Sequence, residues 1–360
     1  MLIVFRVDAS LQIGTGHVMR CLALADVLRG QGADCQFICR EHAGHLAAQI
    51  RRRGYATHAL RAPVEGGPPG IPSSDAPQLA HAQWLGTTQQ QDAVECAPIL
   101  AELHPDWLIV DHYALDTRWE TALRPHYRKL MAVDDLADRR HQCDLLLDQT
   151  FGRTVEDYRP WVPATCTVLC GSNFALLRPE FADLRAYSLR RRAKPQLKHL
   201  LISMGGVDKD NSTAQVMKAL ELSDLPADCR ISVVMGATAP WLADVRRQAV
   251  RMPWPVEVRV NVVDMAHLMA ESDLAIGAAG STAWERCCLG LPSIMLVLAD
   301  NQRFIAEQLH EAGAAMVLDQ ARLCFRFESL PLAQMSVSAA RIVDGQGAAR
   351  VVAQLQKGFA

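Results

Sequence analysis

Gly14-Thr15-Gly16-His17-Val18-Met19-Arg20 is the stretch whose reading decides the fold of this chain. It follows an apolar run, Leu2-Ile3-Val4-Phe5, that ends in Arg6-Val7-Asp8-Ala9-Ser10. After it, Val18, Cys21, Leu22, Ala25 and Leu28 recur at helical spacing. The pattern predicts strand, glycine turn, helix, with His17 in the first helical turn. Glycines there let the backbone approach a ligand closely. Free N–H groups at a helix start favour an anion and disfavour an imidazolium. His17 is therefore expected in the neutral form that a general base needs. A plain helix-start residue fits the same seven residues.

The chain has 360 residues, half of them apolar, and a formal net charge of -2. That length predicts two domains. The near-neutral charge suits a small-molecule partner and gives no electrostatic case for nucleic acid. Eleven scattered cysteines, none at zinc or redox spacing, read as reduced thiols in a cytosol. The first apolar run is broken too early, by Arg6 and Asp8, for a signal peptide, and no stretch is long enough for a membrane span.

Strand-like runs at 2–7, 34–39, 55–60, 107–110, 130–133 and 145–148 alternate with helical patterns at 17–29, 42–53, 87–103 and 117–124. Such alternation implies a parallel sheet with helices on its faces. Residues 61–80, rich in proline and glycine, predict an irregular surface loop. Asp111-His112-Tyr113 falls at the carboxyl end of a strand, where α/β sheets bind ligands. Residues 138–140 and Arg190-Arg191-Arg192 read as solvated charge. Residues 151–196 have no clean period and read as a bridge between domains.

A second alternation starts at Lys198. The strand at 199–203 runs into Met204-Gly205-Gly206-Val207-Asp208, and that at 274–276 into Gly277-Ala278-Ala279-Gly280-Ser281-Thr282-Ala283-Trp284-Glu285. Ser281 and Thr282 at a helix start can hold a diphosphate with backbone donors, hydroxyls and helix dipole, with no metal required. Gly205 and Gly206 offer a second set of donors. Glu285, one turn after Ser281, can accept hydrogen bonds from both hydroxyls of a ribose. The plainer alternatives are an N-cap for Ser281 and an ion pair with Arg286 or Arg303 for Glu285. Trp284 reads as core. Asn301 and Gln302 follow the strand at 293–298 and can reach the sugar part of a nucleotide-sugar, while Asp300 can cap the next helix. Neither a dinucleotide fingerprint nor a P-loop stands in the right context. The expected architecture is α/β, with two doubly wound Rossmann-like domains facing a cleft. The expected boundaries are 1–155 for a first domain that carries His17, 156–345 for a nucleotide-binding domain and 346–360 for a helical tail.

Phe5-Arg6-Val7-Asp8-Ala9, the 14–22 stretch, Asp111-His112-Tyr113, Asp134-Asp135-Leu136, Ser203-Met204-Gly205-Gly206 with Asp208 and Asn211, Gly280-Ser281-Thr282 with Trp284-Glu285, and Asp300-Asn301-Gln302 occur together and in order. In this the chain resembles the UDP-2,4-diacetamido-2,4,6-trideoxy-β-L-altropyranose hydrolases of pseudaminic acid biosynthesis. These are relatives of the glycosyltransferase that adds N-acetylglucosamine to the peptidoglycan lipid precursor. The resemblance implies a GT-B-type fold and a cytoplasmic, metal-independent hydrolase without cofactor that serves surface glycans such as those of flagellin. It implies inverting attack of water at the anomeric carbon, with His17 as base. It also implies that Tyr113 and Asn301 are sugar-site residues. Gly16, Gly205, Gly206, Ser281, Thr282, Glu285 and Gln302 complete the expected substrate contacts, and Asp8 is expected to orient the imidazole or the water. A glycosyltransferase, a UDP-sugar epimerase and a non-catalytic nucleotide-sugar binder are the alternatives. The residues do not specify an oligomeric state.

Overall fold

The computed structural model describes residues 1–62, 79–320 and 323–357. Most of the loop expected over residues 61–80 lies outside them. The chain divides into two units, Met1–Leu176 with Ala348–Ala360, and Leu177–Gly347.

The first unit holds β1 (Leu2–Val7), α1 (Gly16–Gly30), β2 (Asp34–Arg40), α2 (Ala47–Arg52), β3 (Ala56–Leu60), α3 (Gln89–Leu103), β4 (Trp107–Asp111), α4 (Thr117–Ala122), β5 (Lys129–Val133), β6 (Leu145–Asp148) and β7 (Thr167–Cys170). Its strands form one sheet in the order β3-β2-β1-β4-β5-β6-β7, every pair parallel. Side chains alternate between its faces. Ile3, Phe5, Val7, Trp107, Ile109, Met131 and Val133 pack on the face that carries α1. Val4, Leu108, Val110, Leu130 and Ala132 pack on the opposite face with residues of α3 and α4. This alternation also sorts the polar residues just beyond each strand.

The second unit holds α5 (Pro179–Arg192), β8 (His199–Ser203), α6 (Ser212–Leu220), β9 (Arg230–Met235), α7 (Leu242–Ala249), β10 (Val256–Val260), α8 (Met265–Glu271), β11 (Leu274–Ala278), α9 (Thr282–Cys288), β12 (Ser293–Leu296), α10 (Arg303–Glu311), β13 (Ala315–Leu318) and α11 (Leu332–Ile342). Its all-parallel sheet has the order β10-β9-β8-β11-β12-β13. In both sheets the strand order reverses beside the first strand, between β1 and β4 and between β8 and β11. Ligands of open α/β sheets bind at the carboxyl ends of the strands flanking such a reversal.

Four sequence expectations change. Residues 151–176 are not a bridge: β7 pairs with β6 and extends the first sheet, which moves the boundary from 155 to 176. The tail is not separate, because Ala348, Val351, Val352 and Leu355 of α12 (Gly347–Lys357) are buried in the α1-side core of the first unit. Arg192 is not solvated. It is 6% exposed and donates to the carbonyls of Met269, Ala270 and Ser272, and burial pulls its guanidinium down to about 10. Arg139, also read as solvated, is buried with its Nη1 2.6 Å from Asp134. In both cases a packed neighbour supplies the oxygens that a buried guanidinium requires.

Candidate functional site

α1 brings His17 to the β1–β4 reversal. Gly14 turns the chain there with φ +80°, a value that L side chains rarely adopt, and Ser10 Oγ accepts from the N–H groups of Gln12 and Ile13. Gly16 is the first residue of α1, and Thr15 before it makes no side-chain cap. The His17 side chain is 11% exposed, and its Nδ1 lies 2.6 Å from Asp111 Oδ1. Arg20, one turn further along α1, clamps the same carboxylate with Nε to Oδ2 at 2.6 Å and Nη2 to Oδ1 at 2.7 Å. Burial alone would raise the Asp111 carboxyl, but the Arg20 guanidinium and His17 outweigh it and hold the group well below the usual carboxylate range. An ionised Asp111 can only accept, so His17 Nδ1 donates to it, which in the neutral imidazole puts the lone pair on Nε2. Arg20 Nη1 also binds Asp135 Oδ2 at 2.5 Å, and the Tyr113 hydroxyl donates to that oxygen at 2.9 Å. Burial, then Asp135, raises the Tyr113 phenol well above its ordinary range. The Tyr113 ring meets the His17 imidazole edge-on, with centroids 4.6 Å apart.

Asp8 is not the partner of this imidazole. Its Oδ1 accepts from Arg6 Nη1 at 2.6 Å and from the Arg40 N–H at 2.7 Å. Its Oδ2 faces His42 Nε2 at 3.5 Å and His112 Nε2 at 3.4 Å. Period two along the strands explains the exchange. Asp8 continues the Val4–Arg6 face towards α3, where Arg6 and Arg40 share Asp92. Asp111 continues the Trp107–Ile109 face, which is the α1 face. The sequence contained the signal that separates the two carboxylates, but only once the helix packed on each face is known.

In the second unit the expected residues leave adjacent strands, since Ser203 of β8 pairs with Gly277 of β11 and Ala278 pairs with Leu296 of β12. Gly205 has φ +94°, and the Gly206 carbonyl accepts from the Gly236 N–H at 3.0 Å. Asp208 takes the N–H groups of Ser212 and Thr213 at 2.8 and 3.0 Å, so those donors of α6 are already occupied. Gly277 does not leave room for a ligand. A Cβ there would sit 2.2 Å from Arg286 Nη1 and 2.7 Å from the Ser203 carbonyl oxygen, so its missing side chain is filled by this chain's own atoms. Arg286 is buried, donates Nη2 to the Ala278 carbonyl at 2.7 Å, and is pulled down to about 10 by burial. Gly280 has open space where a Cβ would stand.

The Ser281 hydroxyl caps no N–H of α9, and Asp300 caps no turn either. Ser281, Thr282 and Glu285 are half-buried, and Trp284 is core at 1% exposure. Glu285 makes no ion pair among the described residues, with Arg303 paired to Asp300 instead. Burial pushes the Glu285 carboxyl up to about 7, against the pull of Arg178 and Arg286. Asn301 is half-buried, while Gln302 folds back so that its Oε1 accepts from the Leu298 N–H at 3.1 Å. Sequence reasoning missed His81 and Trp84, which stand beside Tyr113 with centroids 5.4 and 5.7 Å away. They lie next to the proline-glycine segment, where no period marks them. Among the described residues no group of three or more His, Cys, Asp or Glu is arranged to hold a metal, and no helix is long and apolar enough to cross a membrane.

Residues 165–331 match the glycosyltransferase family 28 C-terminal domain. The chain is 26% identical to the UDP-2,4-diacetamido-2,4,6-trideoxy-β-L-altropyranose hydrolase of Campylobacter jejuni, over 87% of this chain and 97% of that protein. It is 25% identical to the UDP-N-acetylglucosamine–N-acetylmuramyl-(pentapeptide) pyrophosphoryl-undecaprenol N-acetylglucosamine transferase of Salinibacter ruber, over 88% and 84% of the two chains. Among solved structures, MurG of Acinetobacter baumannii covers 99% of both chains at 17% identity with a TM-score of 0.66. The chain therefore has the GT-B-type fold of two Rossmann-like domains, and the resemblance to the UDP-2,4-diacetamido-2,4,6-trideoxy-β-L-altropyranose hydrolases extends over most of its length.

Proposed function

We propose that this protein hydrolyses UDP-2,4-diacetamido-2,4,6-trideoxy-β-L-altropyranose to UDP and the free sugar, as its Campylobacter relative is named for doing. The observation that carries the reading is the His17–Asp111 contact at 2.6 Å, held by the two-point clamp of Arg20. Asp111 fixes the tautomer, so His17 Nε2 can accept the proton of a water that attacks the anomeric carbon with inversion. The protonated imidazole then lies against an ionised carboxylate, which stabilises it as the reaction proceeds. The second domain holds the nucleotide. Backbone donors of the 205–206 and 280–282 segments and the hydroxyls of Ser281 and Thr282 take the diphosphate, and Glu285 takes the ribose. The same donors stabilise the charge that develops on the departing UDP. Tyr113 and Asn301 are the residues assigned to the sugar, and Gly16 at the start of α1 is a further substrate contact.

A transferase that carries the same sugar to an acceptor hydroxyl is the second reading, favoured by the match of residues 165–331 to a glycosyltransferase domain. A proton NMR time course of the UDP-sugar with the purified protein, without acceptor or metal, separates the two. UDP release with the α-anomer of the sugar appearing first supports the hydrolase. An intact UDP-sugar, with UDP still bound by the protein, would point to the transferase.

A further inference from the structure

A half-buried indole stands beside His17. Trp84 lies in the 3₁₀ turn Ala82–Leu85, its ring centroid 6.5 Å from that of the imidazole and the two planes 79° apart. It stacks on Tyr113 at 5.7 Å and packs against His81 at 4.3 Å. Trp84, His81 and Tyr113 thus form one aromatic wall next to the base. Trp107, Trp119, Trp241 and Trp254 each donate their indole N–H to an oxygen of the chain. The Trp84 N–H has no partner among the described residues. Indole is a donor only, and a half-buried donor beside a reaction centre suits a ligand carbonyl.

Water activation does not need this wall, since the base requires only its Asp111 partner and a water. The reach does fit the substrate. A water about 3 Å from the base, with the attacked carbon about 3 Å beyond it, places the sugar ring about 6 Å from the imidazole. The indole centroid is 6.5 Å from that of the imidazole, so a sugar ring placed on the Trp84 side would meet the indole. Of the groups on a diacetamido, trideoxy sugar, an acetamido combines a carbonyl acceptor with a methyl. It matches a donor set in an apolar wall better than a hydroxyl does.

Resting on the hydrolase reading, we propose that Trp84 is a specificity-determining residue. Its Nε1–H donates to the carbonyl of a sugar acetamido group, whose methyl packs against the wall formed with His81 and Tyr113. Trp84→Phe removes the donor and keeps a ring in the wall. The test is calorimetry in a His17→Gln background, where turnover of the UDP-sugar is slowed by loss of the base, comparing the diacetamido UDP-sugar with UDP alone. The parent should bind the UDP-sugar more tightly than UDP, and Trp84→Phe should lose ~3–10-fold of that preference with UDP affinity and melting temperature unchanged. With His17 intact, the same change should raise KM and leave kcat near its normal value. An unchanged preference in Trp84→Phe, or no preference in the parent, would overturn the proposal. If the intact protein does not turn the UDP-sugar over but Trp84→Phe still lowers its binding, the hydrolase reading fails and the assignment of Trp84 stands.

Discussion

His17 Nδ1 lies 2.6 Å from Oδ1 of the buried Asp111, and this contact determines which imidazole nitrogen remains to take a proton. His17→Leu should lower turnover by ~10²–10⁴-fold, the usual contribution of a general base. Asp111→Asn should bring a loss of comparable order, because an amide carbonyl turned to Arg20 would present its NH₂ to Nδ1 and favour the wrong tautomer. UDP affinity should be unchanged in both variants. Single-turnover rates together with UDP calorimetry check this, and near-normal turnover of His17→Leu would remove it from the role of base.

Burial pushes the Glu285 carboxyl up to about 7. The ribose needs the ionised carboxylate as acceptor, so UDP affinity should fall as pH is lowered through about 7. Glu285→Gln should bind UDP more weakly at pH 8 and lose most of this pH dependence. Calorimetric titrations at pH 6 and pH 8 are the check. A wild-type affinity flat across that interval would exclude Glu285 from the ribose site.

The same raised value has a sign for stability. Its folded-state value lies above the ordinary 4.5, so its favourable contribution is complete below about 4.5 and is lost as pH rises through about 7. Glu285→Gln should therefore raise the melting temperature at pH 8 relative to wild type and leave it nearly unchanged at pH 4.5. Thermal unfolding at the two pH values is the measurement.

Gly277→Ala should destabilise the second unit by ~1–3 kcal/mol, because its Cβ would meet Arg286 Nη1 and the Ser203 carbonyl oxygen. Gly280→Ala meets no atom within 4 Å and should leave stability within ~0.5 kcal/mol of wild type. Equal denaturation midpoints for the two variants would contradict the packing of Arg286 under Gly277.

Leu355 lies in α12, the helix that returns to the first unit, and is fully buried among residues of β1 and α1. Leu355→Ala should cost ~2–5 kcal/mol. Urea unfolding should show that loss. A loss below 1 kcal/mol would mean that the returning helix contributes little to the first core.

Periodicity was enough to read the two parallel α/β layers, the place of His17 in the first turn of α1 and the glycine turns after β8 and β11. Each is encoded within about twenty neighbouring residues, because apolar spacing selects helix or strand locally. The resemblance added the chemistry that spacing alone does not carry. Beyond local sequence were β7, whose four residues are recognisable as a strand only beside β6, and α12, whose apolar face finds its core some 300 residues back along the chain. The choice of Asp111 over Asp8 as partner of His17 was likewise decided by tertiary structure. Both carboxylates follow strands of one sheet, and only the packing of α1 on a single face brings its histidine to one of them. The wall of His81, Trp84 and Tyr113 has the same origin, since its rings meet across a gap in sequence that no period spans. Local sequence determines which faces are apolar. Which polar groups meet depends on how those faces stack.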